Sequence, residues 1–257
     1  MNNNLLKEIL KTKESCVFIS PHLDDAVFSS GGLMIDLRSK GVPITVINIF
    51  TRSDGQDSIS AKRYISQCGY TNSKKLYEDR VHEDKSVLNS IGIEVINLGF
   101  VDALWRKRKE NIFLNYLSKI IPEIGLIYPT YRWHVTKGIV SPLDGNNKKD
   151  IVKSVQSVRQ YKEAKYIFIP IGIGNHVDHL IVKDILDADN SKKIIFWADY
   201  PYIVRDMTQI NLNFIRETYK PNWVKKMILM KKYKTQFNAI FSSKINKSDE
   251  YYFYKKT

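Results

Sequence analysis

The chain has 257 residues, 43% of them hydrophobic, enough for one large domain with a sizeable core. No apolar run approaches the ~20 residues of a membrane span, and the N-terminal "MNNNLLKEILKTKE" is too polar for a secretory signal. The only cysteines are Cys16, in an apolar strand pattern, and Cys68, which argues against a disulfide framework and for a reducing, cytoplasmic setting.

Lysine and arginine number 40 against 27 acids, a net charge of +13. Such an excess suits nucleic acid, an acidic membrane surface or anionic substrates. The lysines are scattered, however, with only a mild concentration in "KKMILMKKYKTQF" (225–237). There is no arginine stripe, RNP-like aromatic run or helix-turn-helix pattern. A solvated basic surface is expected, and no nucleic-acid partner.

In chain order, "CVFIS" (16–20) reads as a strand, followed by helical periodicity over 31–39. "PITVINIF" (43–50) is the second strand, 74–91 a second helix and "EVINLGF" (94–100) the third strand. A helix at 111–121 and a strand "IGLIYPT" (124–130) come next, then a helix at 149–162 and the strand "KYIFIPI" (165–171). A helix at 177–188 and the strand "KIIFWADY" (193–200) complete the pattern. The strands are nearly continuous in apolar character, as in a parallel sheet covered on both faces. Alternation with helices predicts an α/β sandwich of right-handed βαβ units. After residue 201 the chain reads as mostly helical, with a lysine-rich helix near 222–237 and an aromatic end. No repeat or linker interrupts it, so residues 1–257 are expected to form a single domain.

Ligands of open α/β sheets bind at the carboxyl ends of the strands. Two of the six predicted ends carry three of the five histidines: "SPHLDD" after the first strand and "IGIGNHVDH" after the fifth. His22 and Asp25 are three apart, so a strand turning directly into a helix aims both at one point and Asp24 to one side. His176 and His179 are again three apart and share a face at a helix start. Two histidines and an aspartate with a position left for water describe a catalytic zinc site. Each motif alone has an ordinary reading: a capping histidine, or an Asp pair serving as N-cap and first-turn acid. Their coincidence at two strand ends, beside Gly31–Gly32 and Gly172–Gly174, favours the metal.

These residues carry a resemblance. "SPHLDDAVFSSGG" resembles the first motif of the PIG-L/LmbE-like N-acetylglucosamine deacetylases, His-Pro-Asp-Asp followed by a Gly-Gly pair, and "GNHVDH" the second, His-x-Asp-His. "DRVHEDKSVLNSIGIEVINLGFVDALWR", "FWADYPY" and "KKYKTQF" are similar to further segments, so the likeness spans about residues 14–240. It implies a Rossmann-like three-layer sandwich with a mostly parallel sheet and one Zn²⁺ per chain. The zinc ligands would be His22, Asp25 and His179, with Asp24 as general base and acid and His176 stabilising the oxyanion. Arg80 and Asp102 match residues that grip sugar hydroxyls. Leu23 replaces the usual proline, and Gly174 stands where some members place a tyrosine that polarises the carbonyl.

Aromatic and basic residues at other strand ends suit a sugar or aminocyclitol: Trp105, Tyr131, Trp133 and Tyr202 as flat faces, Arg106 and Arg132 for polar substituents. The function expected is hydrolytic removal of an N-acetyl group from an amino sugar, aminocyclitol or small glycoconjugate. A metal-dependent phosphoesterase and a non-catalytic basic binding domain are the alternatives. The loops at 52–73 and 131–150 are expected to set the substrate.

Overall fold

Strands that are apolar on both faces need a layer of helices on each side, and the chain supplies both. In the computed structural model, residues 5–108, 116–189, 191–204, 214–241 and 245–255 are described. The chain runs α1 (Leu5–Thr12), β1 (Cys16–Ser20), α2 (Asp25–Ser39), β2 (Ile44–Arg52), α3 (Ile59–Gln67), α4 (Ser73–Asn89) and β3 (Glu94–Val101). A short helix α5 (Pro122–Gly125) leads to α6 (Gly145–Ser157), α7 (Arg159–Glu163), β4 (Tyr166–Pro170), α8 (Val177–Asp187) and β5 (Lys193–Trp197). Then come β6 (Phe214–Tyr219), α9 (Trp223–Met230), α10 (Lys234–Ile240) and β7 (Glu250–Lys255).

The described residues form one seven-stranded sheet in the order β3-β2-β1-β4-β5-β7-β6. β1 to β5 are parallel, with Cys16 opposite Ile44 on one side and Tyr166 on the other. Every residue of β1 and β4 is buried. α2, α4, α9 and α10 pack together on one face, while α6, α7 and α8 cover the other. The strand order reverses between β1 and β4. There the connections leave in opposite directions and open a crevice at the strand ends.

Three expectations are corrected. Residues 124–130 are not a strand: α5 is followed by a single antiparallel bridge between Lys107 and Leu126. Pro122 and Pro129 break the run, and Ile127 and Tyr128 are buried instead in a second apolar cluster with Leu104, Trp105 and Val135. The tail is not mostly helical, because β6 and β7 add an antiparallel pair to the sheet. β6 alternates half-buried with exposed residues, a weaker signal than a continuous apolar run. The helix read at 222–237 is two, α9 and α10. α1 and α3 are additional to the expected helices, and the helix expected at 111–121 lies partly outside the described residues. Both cysteines are free, and no described helix is long and apolar enough to cross a membrane.

α2 begins earlier than its periodicity suggested and runs through Gly31–Gly32. At Gly32 a Cβ would sit 2.2 Å from Cβ of Pro221 and 2.9 Å from Glu250 Oε1. The buried Glu250 carboxylate accepts Gly32 N–H at 2.8 Å and Leu33 N–H at 3.0 Å, and Lys226 Nζ donates to it at 2.7 Å. This clamp ties α9 and β7 to the helix that begins beside Asp24. Gly32→Ala is expected to lower stability by ~1–3 kcal/mol through overpacking, read as a lower urea midpoint.

Candidate active site

The first half of the site is a tight strand-to-helix turn. Ser20 Oγ donates to the His22 carbonyl at 2.6 Å and accepts Ala26 N–H at 3.1 Å, locking the turn into α2. Leu23, in place of proline, is buried in the second apolar cluster, so packing holds the turn without the ring. His22 N–H donates to Asp25 Oδ2 at 2.9 Å, and the same oxygen lies 3.1 Å from His22 Nδ1. Asp24 is the N-cap of α2 but makes no side-chain capping bond. Its carboxylate lines the cavity, with Oδ1 3.6 Å from Arg80 Nη2.

The second half follows β4. Gly172 and Gly174 have φ of +87° and +93°, turning the chain back so that α8 starts at Val177. His179 Nε2 then faces Asp25 Oδ2 at 3.2 Å. His22 Nδ1, Asp25 Oδ2 and His179 Nε2 thus converge from two strand ends, and the three residues could hold one metal ion.

The outer nitrogen of each histidine is anchored. His179 Nδ1 lies 2.7 Å from Asp199 Oδ1, whose other oxygen accepts Gly172 N–H and Ile173 N–H at 2.7 and 2.8 Å. His22 Nε2 lies 3.1 Å from Asp178 Oδ2, which also accepts Ala103 N–H at 3.0 Å. Such carboxylate partners fix the tautomer and ring orientation of metal-binding histidines. Electrostatics agree. Burial opposes charge on His22, yet Asp178 and Asp25 push its pKa up to about 10. Burial likewise opposes charge on His179, but Asp25 and Asp199 hold its pKa well above the ordinary value. The carboxylates call for positive charge at this point, so the donor set fits a cation.

Asp24 has a pKa pushed up to about 6 by burial and the neighbouring Asp25, against the pull of Arg80. His176 goes the other way: burial and His22 depress its basicity well below the usual imidazole range. Its Nδ1 accepts Asp178 N–H at 3.3 Å, so the neutral ring keeps its proton on Nε2. His176 therefore caps α8 while lining the cavity as a neutral donor.

Of the substrate candidates, Arg80, Asp102, Tyr131 and Tyr202 line the cavity. Arg80 is buried and donates to Tyr64 at 3.0 Å; its helix neighbours Glu83 and Asp84 bond Thr235 and Tyr233 instead. Asp102 accepts from Tyr77 at 2.6 Å and from Leu104 N–H at 3.0 Å. The Tyr202 ring lies against Gly174, where a Cβ would meet it at 2.7 Å.

Trp105 and Arg106, expected to contact the substrate, do not line the cavity. Trp105 is fully buried, its Nε1 donating to Asp57 at 2.7 Å. Arg106 sits behind the wall, over the Phe50 ring at 4.6 Å, bonded to Asp144 at 2.7 Å and to Asp178. It holds the aspartate that anchors His22. Trp133 and Arg132 are exposed outside the cavity.

With this geometry in place, the likeness to known proteins is decisive. The family model of PIG-L, GlcNAc-PI de-N-acetylase, matches residues 17–188. The chain belongs to the PIG-L family. It is thereby a hydrolase of the N-deacetylase class. It is 23% identical over 214 residues to 2'-N-acetylparomamine deacetylase of Niallia circulans, covering 74% of this chain and 68% of that protein. Among solved structures, the zinc-inhibited form of teicoplanin deacetylase Orf2 superposes with a TM-score of 0.74 at 19% identity, over 93% of this chain and 97% of that one. The A40926 pseudoaglycone deacetylase Dbv21 gives 0.69 at 18% identity, over 94% and 97%. At these identities the structures report the fold, the Rossmann-like three-layer sandwich.

Within this PIG-L chain, sequence reasoning missed Asp199, Asp178, Tyr64 and Gln236. The first lies in "FWADYPY" and the last in "KKYKTQF", segments that resemble the family without marking a particular residue. Tyr64 donates to Gln236 Oε1 at 2.8 Å, joining α3 to α10 across the cavity. Asp199→Asn is expected to weaken metal affinity ~10–100-fold, as measured by chelator competition.

Proposed function

We propose that this PIG-L protein is a zinc-dependent hydrolase removing the N-acetyl group from an amino sugar, aminocyclitol or small glycoconjugate. The observation that carries this is the convergence of His22 Nδ1, Asp25 Oδ2 and His179 Nε2, with Asp24 beside them and engaged in no capping bond. His22, Asp25 and His179 would hold the ion. When bound, Zn²⁺ supplies Lewis acidity, acidifying water and polarising the amide carbonyl.

Asp24 takes the proton of the attacking water and later delivers it to the amine as the C–N bond breaks, leaving acetate and the free amino group. His176 Nε2–H donates to the oxyanion, a contribution of order 10²–10³ in rate for comparable groups. Arg80 steadies the Asp24 carboxylate across 3.6 Å and, with Asp102, presents polar atoms to the sugar ring. Tyr131 and Tyr202 offer ring faces at the same cavity. The relatives named above, deacetylases of 2'-N-acetylparomamine, teicoplanin and A40926 pseudoaglycone, support the substrate class.

The test is acetate release from N-acetylglucosamine and N-acetylated aminocyclitols by the zinc-loaded protein. Turnover abolished by chelation and restored by zinc is expected. Turnover unchanged by exhaustive chelation, or phosphate release from a phosphoester in place of acetate, overturns it.

A further inference from the structure

The net charge of +13 has no role in the chemistry above. It coincides with an exposed apolar rim beside the cavity. Trp133 is 67% exposed, Ile59 65%, Ile120 73% and Ile121 50%. They belong to one neighbourhood: Ile59 N–H donates to Glu123 Oε1 at 2.7 Å, and Tyr131 N–H donates to Ser60 Oγ at 3.2 Å. Tyr131 itself lines the cavity, so this face borders the mouth.

Single exposed apolar side chains are ordinary, but several gathered on one face beside a cavity mark an interaction or membrane surface. The charge around them identifies one. Residues 59–67 contain Lys62 and Arg63 and no acid. Residues 116–137 contain Lys119, Arg132 and Lys137 against one acid, Glu123, which the Ile59 N–H already engages. Lys137 Nζ lies 6.0 Å from the Trp133 ring centre. The acids before α3 are also engaged, Asp54 with Lys107 at 2.8 Å and Asp57 with Trp105 at 2.7 Å.

We propose that this face docks on an anionic lipid surface, with Trp133, Ile59, Ile120 and Ile121 entering the headgroup layer and the surrounding cations meeting the lipid phosphates. Tryptophan at an interface and basic residues near an anionic leaflet are a favourable combination. Nucleic acid would use the charge but leave the isoleucines wet. Docked this way, the cavity mouth lies at the headgroup level.

The test is co-sedimentation of the full chain with vesicles of phosphatidylcholine alone and of phosphatidylcholine with 30% phosphatidylglycerol. Binding to the anionic vesicles, falling as salt is raised, and little binding to neutral ones are expected. Trp133→Ser with Ile121→Ser is expected to weaken it about 10-fold or more, with metal content and melting temperature unchanged. In the unmodified protein, tryptophan emission is expected to shift to the blue on anionic vesicles, and Trp133→Ser alone to remove that shift. No binding to either vesicle overturns the proposal. So does equal binding to both, or salt-sensitive binding with neither an emission shift nor any response to Trp133→Ser.

Discussion

Asp24→Asn is expected to retain one zinc per chain and lose ~10²–10⁴-fold in kcat, the usual worth of a positioned general base and acid. The substitution keeps the shape of the side chain and removes its ability to accept a proton. Metal content should survive because the three converging donor atoms belong to His22, Asp25 and His179, and Asp24 supplies none of them. Folding should survive as well. Asp24 makes no capping bond to α2, and its buried carboxylate already pays a desolvation cost that the neutral amide escapes. The measurement is turnover on an N-acetylated amino sugar together with metal content of the same preparation. Near-normal turnover sinks the assignment of Asp24 as base. Loss of metal assigns it to the ligand set instead.

His179→Ala is expected to reduce bound zinc from about one per chain to near zero and to abolish turnover. Two separate losses combine. The Nε2 donor that faces Asp25 disappears, and Asp199 Oδ1 loses the ring nitrogen held at 2.7 Å. The second loss leaves a buried carboxylate without one of its partners, so a fall in stability of ~1–3 kcal/mol should accompany the loss of metal. Metal analysis after dialysis and a chemical unfolding curve check both parts. Retention of stoichiometric zinc would remove His179 from the ligand set.

The contrast between Asp24 and Asp25 shows how far residue order carries. Three-residue spacing in "HLDD" and "HVDH" pointed to His22 with Asp25 and to His176 with His179, and the local turns do bring the first pair together. Spacing could not reveal that His179 turns toward Asp25 while His176 keeps Nδ1 for the backbone of its own helix. That division follows from the glycine turns after β4 and from Asp199, which arrives from the segment just past the end of β5. Arg106 makes the same point from the other side. An arginine at a strand end reads as a substrate contact, yet two buried aspartates draw it behind the cavity wall.

By itself, the sequence determined the parallel sheet, because strands buried on both faces must be apolar along their whole length, and it determined the residues of the two motifs, because each lies within one turn of chain. Only the tertiary structure decided what joins them: the reversal of strand order between β1 and β4, the anchoring of His22 by Asp178 and of His179 by Asp199, and the β6–β7 pair behind α2. These depend on contacts between residues far apart in the chain. Local periodicity records which face of an element is buried, not which distant carboxylate it will meet.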